Sequence, residues 1–270
     1  MTQHTLYQVD AFADRVFAGN PAAVMILDDF LPDETLQAIA AENNLAETAY
    51  AVRRGDGAYD LRWFTPSTEV PLCGHATLAT AHVLWTEEGE AADTLAFETL
   101  SGTLTVARDA DAYVLDFPAD PPVEVAAPAG LSEALGTAPE TVLAGQYLLA
   151  VLPDEASLRA LEPNLLALEA LRAPRGRGAA EDCVCVTAPG EAHDFVSRLF
   201  GPTVGITEDP VTGSAHCMLA PYWAARLGKT QLSAFQASAR GGVVGCELAG
   251  DRVLLRGTGV TYLKGLVRLP

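Results

Sequence analysis

The sequence predicts an α+β protein of two pseudo-symmetric lobes, each a curved, mainly antiparallel, barrel-like sheet around a central helix. Three observations carry that reading. Glu69-Val70-Pro71-Leu72-Cys73-Gly74-His75-Ala76 returns as Glu208-Asp209-Pro210-Val211-Thr212-Gly213-Ser214-Ala215, with Glu, Pro, Gly and Ala in step. Leu31-Pro32-Asp33-Glu34 recurs as Leu152-Pro153-Asp154-Glu155, and Phe97 ahead of Ser101-Gly102 matches Phe235 ahead of Arg240-Gly241. Each central glycine opens a largely apolar run, Ala76 to Trp85 and Ala215 to Leu227. The first is apolar nearly all round, and a helix without a polar face belongs inside a fold. Only two copies are present, so the repeat describes a pair of lobes and not a solenoid.

The elements follow in order. Thr5 to Ala11 alternates as a strand does, and Ala22 to Leu27 reads as a buried strand. Asp33 is placed to cap a helix with Leu36, Ile39 and Ala40 on one face, ending at Asn43-Asn44. Ala46 to Val52 and Asp60 to Phe64 are strands, the second running into Thr65-Pro66. After the first central helix, Thr94 to Thr99 and Thr103 to Ala107 form a hairpin, and Tyr113 to Phe117 adds another strand. Prolines at 118, 121, 122 and 128 then interrupt any regular element, which places the lobe boundary there: 1–118 for the first lobe and 119–257 for the second. Landmarks in the second half are more widely spaced, implying an insertion around Arg172 to Ala180.

At 270 residues and 49% hydrophobic content, the chain can bury the cores of two ordinary domains. No apolar run approaches the roughly 20 residues of a membrane span, and Met-Thr-Gln-His-Thr does not open a leader peptide, so a cytoplasmic location is expected. A net charge of −18, with 17 Lys and Arg dispersed along the chain, argues against nucleic acid as a partner. Five cysteines without secretory context read as reduced thiols. Cys183 and Cys185 share one face of a strand as core residues, Cys217 and Cys246 sit in apolar settings, and no spacing implies a metal. There is no phosphate-loop or dinucleotide fingerprint either, since Arg175-Gly176-Arg177-Gly178 lacks the strand-to-helix context. No cofactor is expected.

The chemistry is expected where the repeated motifs start their helices. A helix N-terminus carries free N–H groups and about half a positive charge, so two of them facing a cleft would clamp a small anionic substrate. Gly74 and Gly213 would let such a molecule reach the backbone. The flanking side chains differ between the copies: His75 stands where Ser214 stands, Cys73 where Thr212 stands, Val70 where Asp209 stands. Glu47 lies in Leu45-Ala46-Glu47-Thr48-Ala49-Tyr50, where poor solvation should raise its pKa toward neutrality and suit it to both donate and accept a proton.

Asp10-Ala11-Phe12, Gly19-Asn20-Pro21-Ala22-Ala23-Val24, Asn44-Leu45-Ala46-Glu47-Thr48, Phe64-Thr65-Pro66, Gly74-His75-Ala76-Thr77, the Glu208 to Ala215 motif and Gly257-Thr258-Gly259-Val260 together resemble the PhzF-like isomerase family of phenazine biosynthesis over essentially the whole chain. The resemblance implies the diaminopimelate epimerase-like fold, with the last strand, 258–270, crossing back to the first lobe, and a homodimer. It implies a cofactor-free proton shift in which Glu47 is the general acid/base. His75, Asp209 and Ser214 would hold substrate polar groups and steer proton delivery, and Gly74 and Gly213 would offer backbone amides. The phenazine enzyme itself resembles Ala-Gly-His-Pro where this chain has Cys73-Gly74-His75-Ala76, so its ring substrate, a dihydro-hydroxyanthranilate, does not carry over.

Two other readings stay open. Epimerases and racemases of similar fold use paired thiols. Cys73, at a helix start, matches one and should have a lowered pKa, whereas Thr212 cannot be the other. The alternative is a carboxylate-binding protein without turnover, against which stand Glu47, His75, Asp209 and Ser214 together.

Overall fold

The structure, a computed structural model, describes residues 2–171 and 183–269. The expected insertion at 172–180 and the Arg175 to Gly178 segment lie outside the described residues. By its internal contacts the chain divides into two units, Met1–Asp116 with Arg256–Pro270, and Phe117–Leu255.

The first unit runs β1 (Thr2–Ala11), β2 (Asn20–Leu27), α1 (Asp33–Asn43), β3 (Glu47–Arg53), β4 (Tyr59–Phe64), β5 (Glu69–Val70), α2 (Gly74–Thr86), β6 (Thr94–Thr99), β7 (Gly102–Asp109) and β8 (Ala112–Pro118). Most neighbours are antiparallel, but β2–β3 and β4–β6 are parallel. Parallel neighbours need a crossover connection, which α1 supplies for the first pair and α2 for the second. The chain's last strand, Gly259–Leu269, lies antiparallel to β1 along its whole length.

The second unit repeats this order. It contains β9 (Val123–Glu124), α3 (Leu131–Leu135), β10 (Thr141–Ala144), β11 (Leu148–Val151), α4 (Glu155–Arg159), α5 (Leu165–Ala170), β12 (Val184–Pro189), β13 (Phe195–Gly201), β14 (Ile206–Asp209), α6 (Gly213–Leu227), β15 (Gln231–Gln236), β16 (Gly242–Ala249) and β17 (Arg252–Gly257); the last strand is β18. Again two pairs are parallel, β11–β12 and β13–β15, with antiparallel neighbours around them. β9 lies beside β10 as β18 lies beside β1. Each unit's first long strand is therefore flanked by the strand that follows β8 or β17.

The central helices are buried as their composition requires. In α2 every side chain from His75 to Trp85 is buried. Its threonines satisfy their hydroxyls within the helix, Thr77 Oγ1 donating to the Cys73 carbonyl at 2.6 Å and Thr80 Oγ1 to that of Ala76 at 2.8 Å. His82 hydrogen-bonds through Nδ1 with the Tyr113 hydroxyl and through Nε2 with that of Thr261. α6 carries Pro221, which cannot donate back to Cys217. The Asp120 N–H takes that carbonyl instead, at 3.0 Å.

Asp33 does not cap α1. Pro32 is the N-cap, its carbonyl accepting from the Leu36 N–H at 3.0 Å, and Asp33 is drawn aside to Arg62 at 2.8 Å. In the second copy Asp154 does cap, accepting from the Ser157 N–H at 2.7 Å, but the helix it opens is broken into α4 and α5. All five cysteines are buried and unlinked. No helix among the described residues is long and apolar enough to cross a membrane.

Candidate active site

In the first unit, three strand or helix starts bring Asn20, Glu47 and His75 together. Glu47 begins β3 opposite Ala22 of β2, Asn20 begins β2, and His75 is the second residue of α2. Asn20 follows a turn that only glycine tolerates: Gly19 has φ +63°, and a Cβ there would stand 2.1 Å from the Ala11 carbonyl oxygen. His75 Nδ1 lies 3.2 Å from Asn20 Nδ2 and 3.5 Å from Cys73 Sγ, and Nε2 lies 3.1 Å from Glu47 Oε2. With the Asn20 amide donating to Nδ1, a neutral ring carries its proton on Nε2, toward the carboxylate. The Nε2–Oε2 pair is close yet off the hydrogen-bond line, and neither atom bonds elsewhere. Buried polar atoms left in that state are rare and point to a role in chemistry. The Glu47 side chain keeps 12% of its surface open, against 6% for His75.

The electrostatics separate the imidazole from the thiol. Burial opposes charge on His75, but neighbouring negative charge on Cys73, when ionised, and on Glu47 outweighs it and holds the imidazole well above its ordinary range. Cys73 moves opposite to the expected direction. Burial, reinforced by the Glu47 charge, pushes its thiol up to about 11, so the helix N-terminus does not make it a ready nucleophile. Glu47, Cys73 and His75 offer one ligand atom each within 4.8 Å of one another. The imidazole, however, presents Nδ1 to the thiol and Nε2 to the carboxylate, so it separates these two groups and does not converge with them on one ion.

In the second unit, Asp209, Thr212, Gly213 and Ser214 stand together at the start of α6. Thr212 is the N-cap, in extended conformation, and its hydroxyl donates to Asp209 Oδ2. Like Cys73 ahead of α2, it makes no side-chain cap, so the first-turn N–H groups from Gly74 and from Gly213 are left without one. The Ser214 hydroxyl lies 2.7 Å from that of Tyr147, which accepts from Gln146 Nε2 at 3.2 Å. Either hydroxyl can donate in this pair, so Ser214 can accept from Tyr147 or donate to it. Gln236 from β15 holds Thr212 and Asp209 from behind.

Reading the residues missed Tyr147 and Gln236, and noted Asn20 only as part of a motif. Asn20 carries one visible signal, a polar residue between a glycine and a wholly apolar strand. The repeated glutamates proved to be scaffold. Glu69 pairs in fork geometry with Arg62 at 2.7 and 2.8 Å, and Glu208 with Arg198 at 2.7 and 3.0 Å, each tying the strand that delivers the helix start to its neighbour. An open groove formed by Pro121, Pro122, Pro221, Tyr222, Ala225 and Arg226 borders the C-terminal half of α6 and contains none of these groups.

An uncharacterised isomerase of Pseudomonas aeruginosa is 54% identical over 265 residues, covering 98% of this chain and 99% of that protein. A PhzF-family protein of Enterococcus faecalis superposes with a TM-score of 0.94 at 46% identity, over 99% of this chain and 100% of that one. A hydroxyproline epimerase of Agrobacterium vitis shares the fold at 12% identity, with a TM-score of 0.60 over 98% of this chain and 92% of that one. The class is thus an isomerase on the two-lobed diaminopimelate epimerase-like α+β fold. The family description "Phenazine biosynthesis-like protein", PhzC-PhzF, matches residues 9–265, and the chain belongs to that family.

Proposed function

We propose that the protein catalyses a cofactor-independent proton shift on a small carboxylate-bearing metabolite, cyclic or acyclic, by general acid/base catalysis. The observation that carries this reading is the pairing of half-buried Glu47 with buried His75, their facing atoms 3.1 Å apart, shielded from solvent and without other hydrogen bonds. The Glu47 carboxylate takes a proton from a carbon acid, the electron pair of the broken C–H bond moves into the adjacent π system, and the neutral Glu47 acid returns the proton at a second carbon. One proton leaves and one returns while the electron pair stays in the substrate, so the product is an isomer. Between the two transfers the Glu47 acid, its side chain 12% exposed, exchanges with solvent, so label from heavy water enters the product. The imidazole of His75, whose pKa is raised beside Glu47, supplies in its protonated form, with Nδ1 then donating and no longer accepting, a positive field against which negative charge develops. Asp209 and Ser214 receive the substrate's polar groups, and the first-turn amides from Gly74 and Gly213 favour a carboxylate.

The thiol mechanism is disfavoured by the raised Cys73 pKa. Proton wash-in from heavy water separates the readings, using a panel of cyclic and acyclic amino and hydroxy acids followed by mass spectrometry. Label should enter in the wild type and be lost in Glu47→Gln. Loss in Cys73→Ser with retention in Glu47→Gln would establish thiol chemistry, and a wild type that labels no acid would leave only a binding role.

A further inference from the structure

Gln236 ends β15 with its side chain fully buried, and it spends that side chain on one loop. Its Oε1 accepts the Thr212 N–H at 2.8 Å, while Nε2 donates to the Asp209 carbonyl at 2.7 Å and to the Thr212 hydroxyl oxygen at 3.1 Å. One end meets a backbone donor and the other a backbone acceptor, so the amide fits one way round only. The Thr212 oxygen, accepting from Gln236, must turn its own proton to Asp209 Oδ2. The outcome is a one-way chain from amide to hydroxyl to carboxylate, in which Thr212 donates and Asp209 accepts.

We propose that Gln236 is a positioning residue of the isomerase, holding the Asp209–Thr212 loop and fixing Asp209 Oδ2 as the acceptor of the Thr212 hydroxyl, so that the carboxyl group is presented to the substrate in one orientation. The role of Asp209 toward the substrate rests on the function proposed above. The requirement is for a neutral amide at this place. Gln236→Glu keeps the shape but sets an oxygen against the Asp209 carbonyl and the Thr212 oxygen, and only its protonated form can donate to that carbonyl again. Gln236→Leu removes all of these bonds.

The test uses the full-length protein and both variants. In Gln236→Leu, hydrogen exchange at the Thr212 amide should rise about 10-fold or more while the amides of β12 keep wild-type rates, because a buried amide has lost its acceptor. Wash-in into the acids that the wild type labels should fall about 10-fold or more in the same variant. In Gln236→Glu, wash-in relative to wild type should be low at about pH 8 and recover toward about pH 6, as the new carboxyl takes up a proton in its buried site. A residue that only fills space would give no such recovery. Unchanged Thr212 exchange in Gln236→Leu, or a flat ratio to wild type in Gln236→Glu, overturns the proposal; should the leucine variant not fold, the glutamate pH profile decides. If the wild type labels no acid, the proposed function fails, and the Thr212 exchange still decides whether Gln236 holds the loop.

Discussion

Acid should unfold this protein through two histidines that the fold keeps neutral. His82 and His216 are buried, and burial lowers each to about 4 from the ordinary 6.5. In the window between those values the unfolded chain binds a proton that the folded chain refuses, so stability is full above about pH 6.5 and falls as pH drops toward 4. Going from about pH 7 to about pH 5, each histidine removes roughly 2 kcal/mol, close to 4 for both, a large share of the 5–15 kcal/mol of a typical domain. His75 has the opposite sign: its raised pKa adds stability that is complete below about pH 6.5 and fades only at higher pH, so it does not mask the effect. The assay is urea unfolding of wild type and His216→Phe at both pH values. Phenylalanine keeps a ring beside Phe195 but cannot titrate, so the acid loss should shrink by roughly 2 kcal/mol. Equal losses in the two proteins would refute the argument that burial holds His216 neutral.

Three further outcomes follow from single contacts. Arg198→Met leaves Glu208 without its fork and takes the guanidinium donor from the Leu161 carbonyl and, more weakly, from that of Leu158, and should lower unfolding free energy by about 2–3 kcal/mol in urea melts at neutral pH; a change below about 0.5 would show the pair to be surface decoration. Gly19→Ala meets both a left-handed backbone and the Ala11 carbonyl, and should cost about 3 kcal/mol or more, measured the same way, while reducing wash-in by displacing Asn20. Cys73, with a thiol at about 11, should be alkylated by iodoacetamide at about pH 8 some 100-fold or more slowly than a free cysteine; fast labelling of Cys73, located by peptide mapping, would restore the thiol reading.

The fold was legible because the repeated residues are those on which chain geometry is strict. Gly74 and Gly213 start the helices, Glu69 and Glu208 anchor the preceding strands to arginines, and the largely apolar runs behind the glycines bury most of their side chains in a core. What stayed hidden has a common cause, which is long separation along the chain. Asn20 meets His75 across 55 positions and Gln236 meets Thr212 across 24, and no local pattern records such partners. The reading of Cys73 failed for a different reason. A helix start favours a thiolate, but the thiol is buried and faces the Glu47 charge, and that penalty exceeds the dipole's contribution. Asp33 erred because the N-cap of the helix falls one residue earlier, at Pro32, and the Asp33 carboxylate pairs instead with Arg62, 29 positions on.

The pairing of β18 with β1 joins two strands between which every other described element lies in sequence, Thr2 meeting Leu269 at one extreme of the ladder. During synthesis at the ribosome, β1 emerges long before β18 and must wait for it before its outer edge is covered. Until then β1 presents an open row of backbone donors and acceptors, the surface most prone to pairing with a neighbouring nascent chain. Such a topology folds slowly for its size, and loss of β18 would harm the first unit, whose β1 it covers.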